Sequence, residues 1–142
     1  MIGVGTLPPI IALAAWTMVM WAWMYRARMP ELKRAALSEA ELSTLTQAKL
    51  DAMLSPNVQW KAHNYNHLHE APTVFYAVAL VLAVVGQGDG VSALLAWIYV
   101  LLRITHSLIQ ATTNRVMYRF SVFTVSSVVL MALILRAAIA FI

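Results

Sequence analysis

Long uncharged blocks separated by polar segments dominate the pattern of hydrophobic and polar positions along the chain. Residues 2–25 and 71–85 carry no charged side chain, and residues 91–111 and 120–142 each carry one arginine. None of the blocks alternates with the period of two that strands of a membrane barrel show. About 20 mostly apolar residues suffice for a helix to cross a hydrocarbon core of roughly 30 Å. The pattern therefore predicts an all-α integral membrane protein with four spanning helices.

We predict one membrane domain over residues 1–142, with linkers of unequal length between its helices. Only the first linker, residues 26–57, is long and polar. Within it, Ser38 and Glu41 match a capping box, which predicts a short helix near 38–54, at the membrane surface or capping the bundle. A solvated helical loop is the alternative, because the apolar stripe is weak. The four spanning helices are predicted over about residues 2–25, 58–85, 91–113 and 118–142.

The composition agrees with a membrane protein. Hydrophobic residues make up 61% of the 142 positions and charged residues 11%, whereas soluble domains average roughly 45–50% apolar and about 25% charged. These values exclude an ordinary water-soluble globule and a disordered tail. Because the chain contains no cysteine, disulfides, thiolate metal sites and a cysteine nucleophile are excluded as well. We therefore expect membrane lipid to surround the chain.

The distribution of the cations predicts the orientation in the membrane. The net charge is +4, and most cations lie in or beside the first linker, with Arg115 and Arg119 beside the third. The N-terminal segment and the second linker contain none. By the positive-inside rule, linkers one and three are cytoplasmic and both termini lie outside, as expected for the bacterial inner membrane. No basic run with interleaved aromatic residues is present, so we predict no nucleic-acid partner.

A polar cluster precedes the uncharged part of the second span. Ionisable groups within spanning helices cost roughly 2.5–3.5 kcal/mol and usually face a bundle interior or a water-filled cavity. Pro72 removes a backbone hydrogen bond and predicts a kink just beyond Glu70, which would open a cavity there. The residues spaced three or four apart, and therefore on one helix face, are His63, Asn66, His67 and Glu70.

A second polar stripe lies on the third span. The short connection 86–90 makes the second and third spans antiparallel neighbours, which places Glu70 and Arg103 at similar depth. We predict an ion pair between them, because Arg103 cannot lose its proton and needs an acceptor. The pair either fixes helix packing or belongs to a ligand site. The stripe itself, at spacings of four, three and four, consists of Tyr99, Arg103, His106 and Gln110.

Two further interpretations concern metal and anion binding. His63, His67 and Glu70 converge on one helix face, and His106 would supply a fourth metal ligand from the next helix. This spacing predicts a metal-dependent membrane enzyme as a minor alternative.

Arg115 and Arg119 lie four residues apart at the start of the fourth span. They are either cytoplasmic anchors that reach to the lipid headgroups or an anion site facing the bundle. The sequence pattern leaves both interpretations open.

These features resemble a prokaryotic-type member of the MAPEG family, the membrane-associated proteins in eicosanoid and glutathione metabolism. The resemblance covers the four spans, the long first linker and the outward termini. It implies a four-helix bundle that assembles as a homotrimer, with glutathione bound between protomers near the cytoplasmic side. His67, with Asn66 beside it, stands where the family has asparagine, and Gln110 stands where it has tyrosine. The matching motif residues are His63, Glu70, Arg103, His106, Arg115 and Arg119.

The resemblance implies a glutathione-dependent transferase or peroxidase that acts on hydrophobic electrophiles or lipid hydroperoxides. Arg119, or Arg115, would hold the thiolate, and a hydrophobic co-substrate would enter from the bilayer. A non-catalytic membrane protein of the same architecture, binding a lipid or a protein partner, is the alternative. The residues implied in binding the rest of glutathione are His63, Asn66, His67, Glu70, Arg103, His106 and Gln110.

Overall fold

The computed structural model describes residues 2–142, so that Met1 of the predicted domain lies outside the described residues. Residues 2–142 contain no strand, and four segments are long and apolar enough to span a membrane: Val4–Ala35, Pro56–Val84, Val91–Ala111 and Val116–Ile139. The predicted all-α architecture with four spans is therefore confirmed. After a 3₁₀ turn at Val4–Thr6, the helices are α1 (Leu7–Ala35), α2 (Glu39–Ser43), α3 (Gln47–Met53), α4 (Pro56–His67), α5 (Ala71–Val84), α6 (Val91–Ala111) and α7 (Val116–Ile139).

The first spanning helix continues well beyond the predicted end at residue 25. Helix α1 runs through Pro30 to Ala35 and ends where Ala36 adopts a left-handed φ of 46°. At about 1.5 Å per residue it is roughly 44 Å long, which exceeds a hydrocarbon core of about 30 Å. The predicted helix was too short because the cations mark the end of the apolar segment, whereas the helix continues beyond them.

The first linker forms two short helices where one was predicted over 38–54. Both bonds of the capping box are present: the Glu41 amide donates to Ser38 Oγ, and the Ser38 amide donates to the Glu41 carboxylate. Helix α2 ends at Ser43, and the hydroxyl of the following Thr44 donates to backbone carbonyls of that helix. Thr46 then caps α3 by accepting from the Lys49 amide. Threonines that compete for backbone groups interrupt the single helix.

The second span is divided into α4 and α5 by a turn. Helix α4 ends at His67, and α5 begins at Ala71 after Glu70, whose φ and ψ of −94° and −102° are not helical. Pro72 has no amide proton to donate to the carbonyl of Leu68, so the helix cannot continue through this turn. The break lies at residues 68–70 and includes Glu70, whereas the sequence predicted a kink just beyond Glu70.

Helix α6 is the centre of the bundle, because it contacts α1, α4, α5 and α7. The rings of Phe75 and Tyr99 stack with their centroids 4.6 Å apart and join α5 to α6. Leu13 and Met20 of α1 and Leu133 of α7 are fully buried in the same core. The position of α6 determines which of its polar residues become buried.

One end of the bundle, which we call the closed end, consists of residues 2–6 and the connection 85–90. The amide of Gly3 and the hydroxyl of Thr6 donate to carbonyl groups of α5 at 2.9 Å each. A Cβ atom on Gly88 would lie 2.0 Å from the carbonyl oxygen of Gly3. Only glycine permits this approach of two backbone segments.

Candidate functional site

A cavity of about 270 Å³ lies at the other end of the bundle, between α4, α6 and α7. We call it the polar cavity. Its wall combines two imidazoles, an amide and a guanidinium with apolar side chains, which is the mixed composition of small-molecule sites. The lining residues are His67, His106, Gln110, Val116, Arg119, Phe120 and Phe123.

The face of α4 that the sequence predicts as polar and functional is only partly turned to the cavity. His67 lines the cavity, whereas His63 and Asn66 are exposed on the surface of the chain. Glu70 follows the end of α4, and its side chain is 65% exposed. The structure therefore brings one of these four residues into the cavity and leaves three on the outside.

The face of α4 that packs on α6 contains residues that the sequence analysis missed. The Asn64 side chain donates to Ser107 Oγ at 2.5 Å, and Lys61 Nζ donates to the carbonyl of Ala111 at 3.3 Å. Lys61 also lies 5.3 Å from the ring centroid of Trp23. Lys61 and Asn64 are three residues apart, which indicates a second polar face of the helix. The prediction chose the other face because it contains two histidines.

The polar stripe of α6 lies together on the buried side of that helix. Arg103 is only 1% exposed, and its Nη2 donates to the carbonyl of His67 at 3.4 Å. Its Cζ lies 5.6 Å from the ring centroid of Phe123. Arg103 is thus fixed between α4 and α7, while Tyr99, His106 and Gln110 are also buried.

The predicted ion pair between Glu70 and Arg103 does not form. The Glu70 carboxylate instead lies 2.5 Å from Nδ1 of His67. The turn between α4 and α5 carries Glu70 to the surface, while Arg103 stays inside the bundle. Both residues contact His67: Glu70 contacts the ring of His67, and Arg103 donates to the backbone carbonyl oxygen of His67.

The two arginines before and within α7 differ in their surroundings. Arg119 lines the polar cavity, and its Nη1 donates to Asn114 Oδ1 at 2.7 Å. Asn114 adopts a left-handed φ of 48° in the turn before α7, which brings its side chain back to Arg119. Arg115 is exposed, and its guanidinium packs on the ring of Tyr118 at 5.9 Å. Only Arg119 places a guanidinium at the cavity.

Buried polar atoms without a partner concentrate on α4 and α6. Most buried polar groups in proteins are hydrogen-bonded, and an unpaired one costs about 1–3 kcal/mol. Five such atoms within residues 2–142 lie on these two helices: Asn64 Oδ1, Tyr99 Oη, Arg103 Nε and Nη1, and Gln110 Oε1. Three of their four residues are on the α6 stripe, which also supplies two residues to the cavity wall. This arrangement suits a polar ligand.

The metal-dependent alternative loses its ligand set. Among the described residues, no group of three or more His, Cys, Asp or Glu side chains is placed to hold a metal ion. His63 is exposed on the surface of the chain, whereas His67 lines the cavity. The sequence assumed one continuous helix through Glu70, and the turn after His67 removes that assumption.

Four apolar spanning helices, with a polar cavity at one end of the bundle, define a multi-pass membrane protein. The model of the MAPEG family matches residues 6–139, and the chain belongs to this family. The resemblance stated from the sequence is thereby confirmed, and the protein is a membrane protein of the family of glutathione and eicosanoid metabolism. Comparisons with curated proteins and with solved structures gave no significant match.

Proposed function

We propose that the protein is a membrane-embedded glutathione-dependent transferase or peroxidase whose thiol site is the polar cavity. The observation that carries the proposal is that Arg119 lines this cavity together with His67 and His106, in a chain of the MAPEG family. A free thiol has a pKa near 8.5, and an adjacent guanidinium lowers it by favouring the anion. Arg119 would therefore hold glutathione as the reactive thiolate.

The remaining polar groups would bind the peptide part of glutathione. His106 and Gln110 line the cavity, and Gln110 Oε1 has no partner among the described residues. Arg103 keeps two donor atoms, Nε and Nη1, without an acceptor. A planar guanidinium binds carboxylates well because two of its N–H groups can act together. We assign the carboxylates to Arg103 and His106 and the amine to Gln110.

A homotrimer with glutathione between protomers would complete the site. The cavity of about 270 Å³ is smaller than the roughly 300–1,000 Å³ of usual ligand pockets. His63, Asn66 and Glu70 are exposed on the outside of the chain, where a neighbouring copy can use them. These residues then belong to the binding site through the partner subunit.

The hydrophobic co-substrate would reach the cavity from the bilayer. Val116 and Phe120 line the cavity and are 63% and 62% exposed. Such an apolar rim admits a lipid-soluble electrophile or a lipid hydroperoxide sideways, while the polar wall holds the thiol. In the peroxidase reaction, two glutathione molecules give the disulfide as the hydroperoxide is reduced to an alcohol and water.

The orientation follows the cations. The cavity lies at the end of the bundle that carries the first and third linkers, which hold most of the positive charge. The positive-inside rule places this end in the cytoplasm and both termini outside, in an inner membrane of bacterial type. Glutathione would then be taken from the cytoplasm.

The test is a titration of the purified full chain with glutathione near neutral pH, followed by thiolate absorbance and by turnover of a hydrophobic electrophile. Arg119→Ala should lower kcat by about 100- to 1,000-fold, the usual effect of removing one donor to a developing anion. Arg115→Ala is the matched control and should behave as wild type, since Arg115 lies outside the cavity. Equal losses in both variants, or no thiolate in the wild type, would contradict the proposal.

A non-catalytic lipid-binding function is the second candidate. An apolar groove of about 490 Å³ lies between the end of α1 and helices α2 and α3. Leu32, Leu42 and Leu45 are among its lining residues, with Lys33 at the same place. Co-purification of tightly held lipid, together with no turnover of any electrophile, would favour this function over the transferase.

A further inference from the structure

The ring of His67 differs from that of His106 because a carboxylate holds it. Nδ1 of His67 lies 2.5 Å from Oε2 of Glu70, close enough for a strong charge-assisted hydrogen bond. His106 lines the same cavity, but its ring packs against the rings of His67 and Phe123 with no carboxylate beside it. The two histidines of the cavity are therefore prepared for different tasks.

The bond to Glu70 determines which nitrogen His67 can use. A carboxylate only accepts hydrogen bonds, so Nδ1 carries the proton and Nε2 keeps its lone pair. Arg103 holds the same residue from the other side by donating to its carbonyl oxygen at 3.4 Å. An oriented imidazole with a free Nε2 next to a nucleophile site is the arrangement by which enzymes activate weak nucleophiles.

We propose that Glu70 and His67 form a dyad in which Nε2 of His67 takes the proton of the thiol bound in the polar cavity. This inference rests on the proposed function, since it needs a thiol in the cavity. The S–H bond breaks, its electron pair stays on sulfur, and the proton moves to Nε2. The resulting imidazolium is paired with Glu70, and the thiolate is paired with Arg119. After sulfur has reacted with the electrophile, the proton passes to the leaving group or to water.

The charges around His67 explain why Glu70 is needed. Arg103 and the neutral ring of His106 face it from α6, and Arg119 faces it from α7, so the two guanidinium groups oppose a second proton on the ring. Glu70 is the one anion in contact with the ring among the described residues.

The test measures how many protons reach the solvent for each thiolate formed. The purified full chain is mixed rapidly with glutathione near neutral pH, while thiolate absorbance and an indicator dye are recorded together. Transfer to His67 keeps the proton on the protein, so the wild type should release much less than one proton per thiolate. His67→Asn should release about one and form thiolate about 100-fold more slowly, the lower end of a general base's effect. Glu70→Gln should slow it by about 10-fold.

His69→Asn is the matched control, because it makes the same substitution two residues away. The ring of His69 packs on Tyr65 and bonds to its carbonyl, outside the polar cavity. This variant should match the wild type in rate and in proton release. The ratio of the rates of thiolate formation in His69→Asn and His67→Asn then measures the contribution of the dyad.

The possible results separate the dyad from the thiol site. Release of a full proton per thiolate by the wild type would overturn the dyad and leave the proposed function intact. Absence of glutathione binding would overturn the proposed function as well. A His67→Ala variant that binds glutathione should recover thiolate formation when imidazole is added, which supports the dyad and shows that the variant is folded. A variant that binds glutathione without recovery would contradict it.

Discussion

The two ends of the bundle differ in whether their buried polar groups have hydrogen-bond partners. At the closed end, the amide of Gly5 donates to Asp89 at 2.8 Å, and Nε of Arg136 donates to Ser92 at 2.9 Å. Together with the bonds of Gly3 and Thr6, these contacts tie the N-terminal segment to α5 and to the connection before α6, and tie α7 to the start of α6. At the end with the polar cavity, Arg103 and Gln110 are buried with polar atoms unpaired.

This difference separates stability from function. Paired polar groups around close backbone contacts hold the fold together, whereas unpaired buried ones lower stability and are retained where a ligand uses them. We therefore expect substitutions at the closed end to change the free energy of unfolding without changing glutathione affinity. Substitutions at the polar cavity should do the reverse.

The largest effect on stability is expected for Gly88→Ala. The added methyl group meets the carbonyl of Gly3, which is backbone and cannot move aside as a flexible side chain would. Overpacking of this kind costs typically 1–3 kcal/mol, and we expect about 3 kcal/mol because two segments must separate. Thermal unfolding in detergent would measure it. Gly90→Ala is the control for backbone strain alone, because its Cβ meets nothing, while its φ of 58° and ψ of −120° would cost an alanine about 1–3 kcal/mol. Equal losses of unfolding free energy in the two variants would contradict the claim that the Gly3–Gly88 contact requires glycine.

Thr6→Val should destabilise the closed end by an intermediate amount. The Thr6 hydroxyl is buried and donates to the carbonyl of Ala79 at 2.9 Å. Replacing it with a methyl group of similar shape leaves that carbonyl without this donor, which costs about 1–2 kcal/mol. The unfolding midpoint should fall while the calorimetric affinity for glutathione stays unchanged. A change in affinity would show that the two ends are coupled.

Gln110→Leu tests the opposite behaviour at the polar cavity. The substitution removes a buried Oε1 atom that has no partner among the described residues, so stability should rise by about 1 kcal/mol. The same change should weaken glutathione binding by about tenfold, which corresponds to one lost hydrogen bond. Thermal unfolding and calorimetry on the same preparation measure both. Loss of stability without loss of affinity would mean that Gln110 serves the fold.

The smallest effect is expected in the first linker, outside both ends. The backbone amide of Ser38, and then its hydroxyl, hold the pKa of Glu41 below its ordinary value of 4.5. A carboxylate with a lowered folded pKa stabilises its helix fully above that value, and the contribution is lost as the pH falls through the lower folded pKa. Ser38→Ala should raise the pKa of Glu41 toward its ordinary value and speed amide exchange in α2, with glutathione affinity unchanged. An altered affinity would extend the binding site into the linker.

The sequence predicted the four spans because the bilayer sets both their length and their composition. It predicted the end of α1 wrongly because Arg26 and Arg28 mark where the apolar segment ends, and a helix continues into water without difficulty. The α6 stripe around Arg103 and His106 lies together as predicted, because α6 is one uninterrupted helix with a constant period.

The prediction for α4 was only partly right, because both of its faces are polar and the turn before Pro72 changes the direction of the chain. Periodicity cannot choose between the face of His67 and the face of Asn64 when each contains residues that form hydrogen bonds. The same turn explains the missing Glu70–Arg103 pair, because the prediction that the two residues lie at similar depth required a continuous helix.

The most direct test of the account is an experimental structure of the full chain in a lipid nanodisc with glutathione. The account predicts glutathione in the polar cavity between α4, α6 and α7, with its sulfur within about 4–6 Å of the Arg119 guanidinium, the range over which a charge favours the thiolate. Glutathione bound in the groove beside α2 and α3, or bound with its sulfur remote from Arg119, would contradict it.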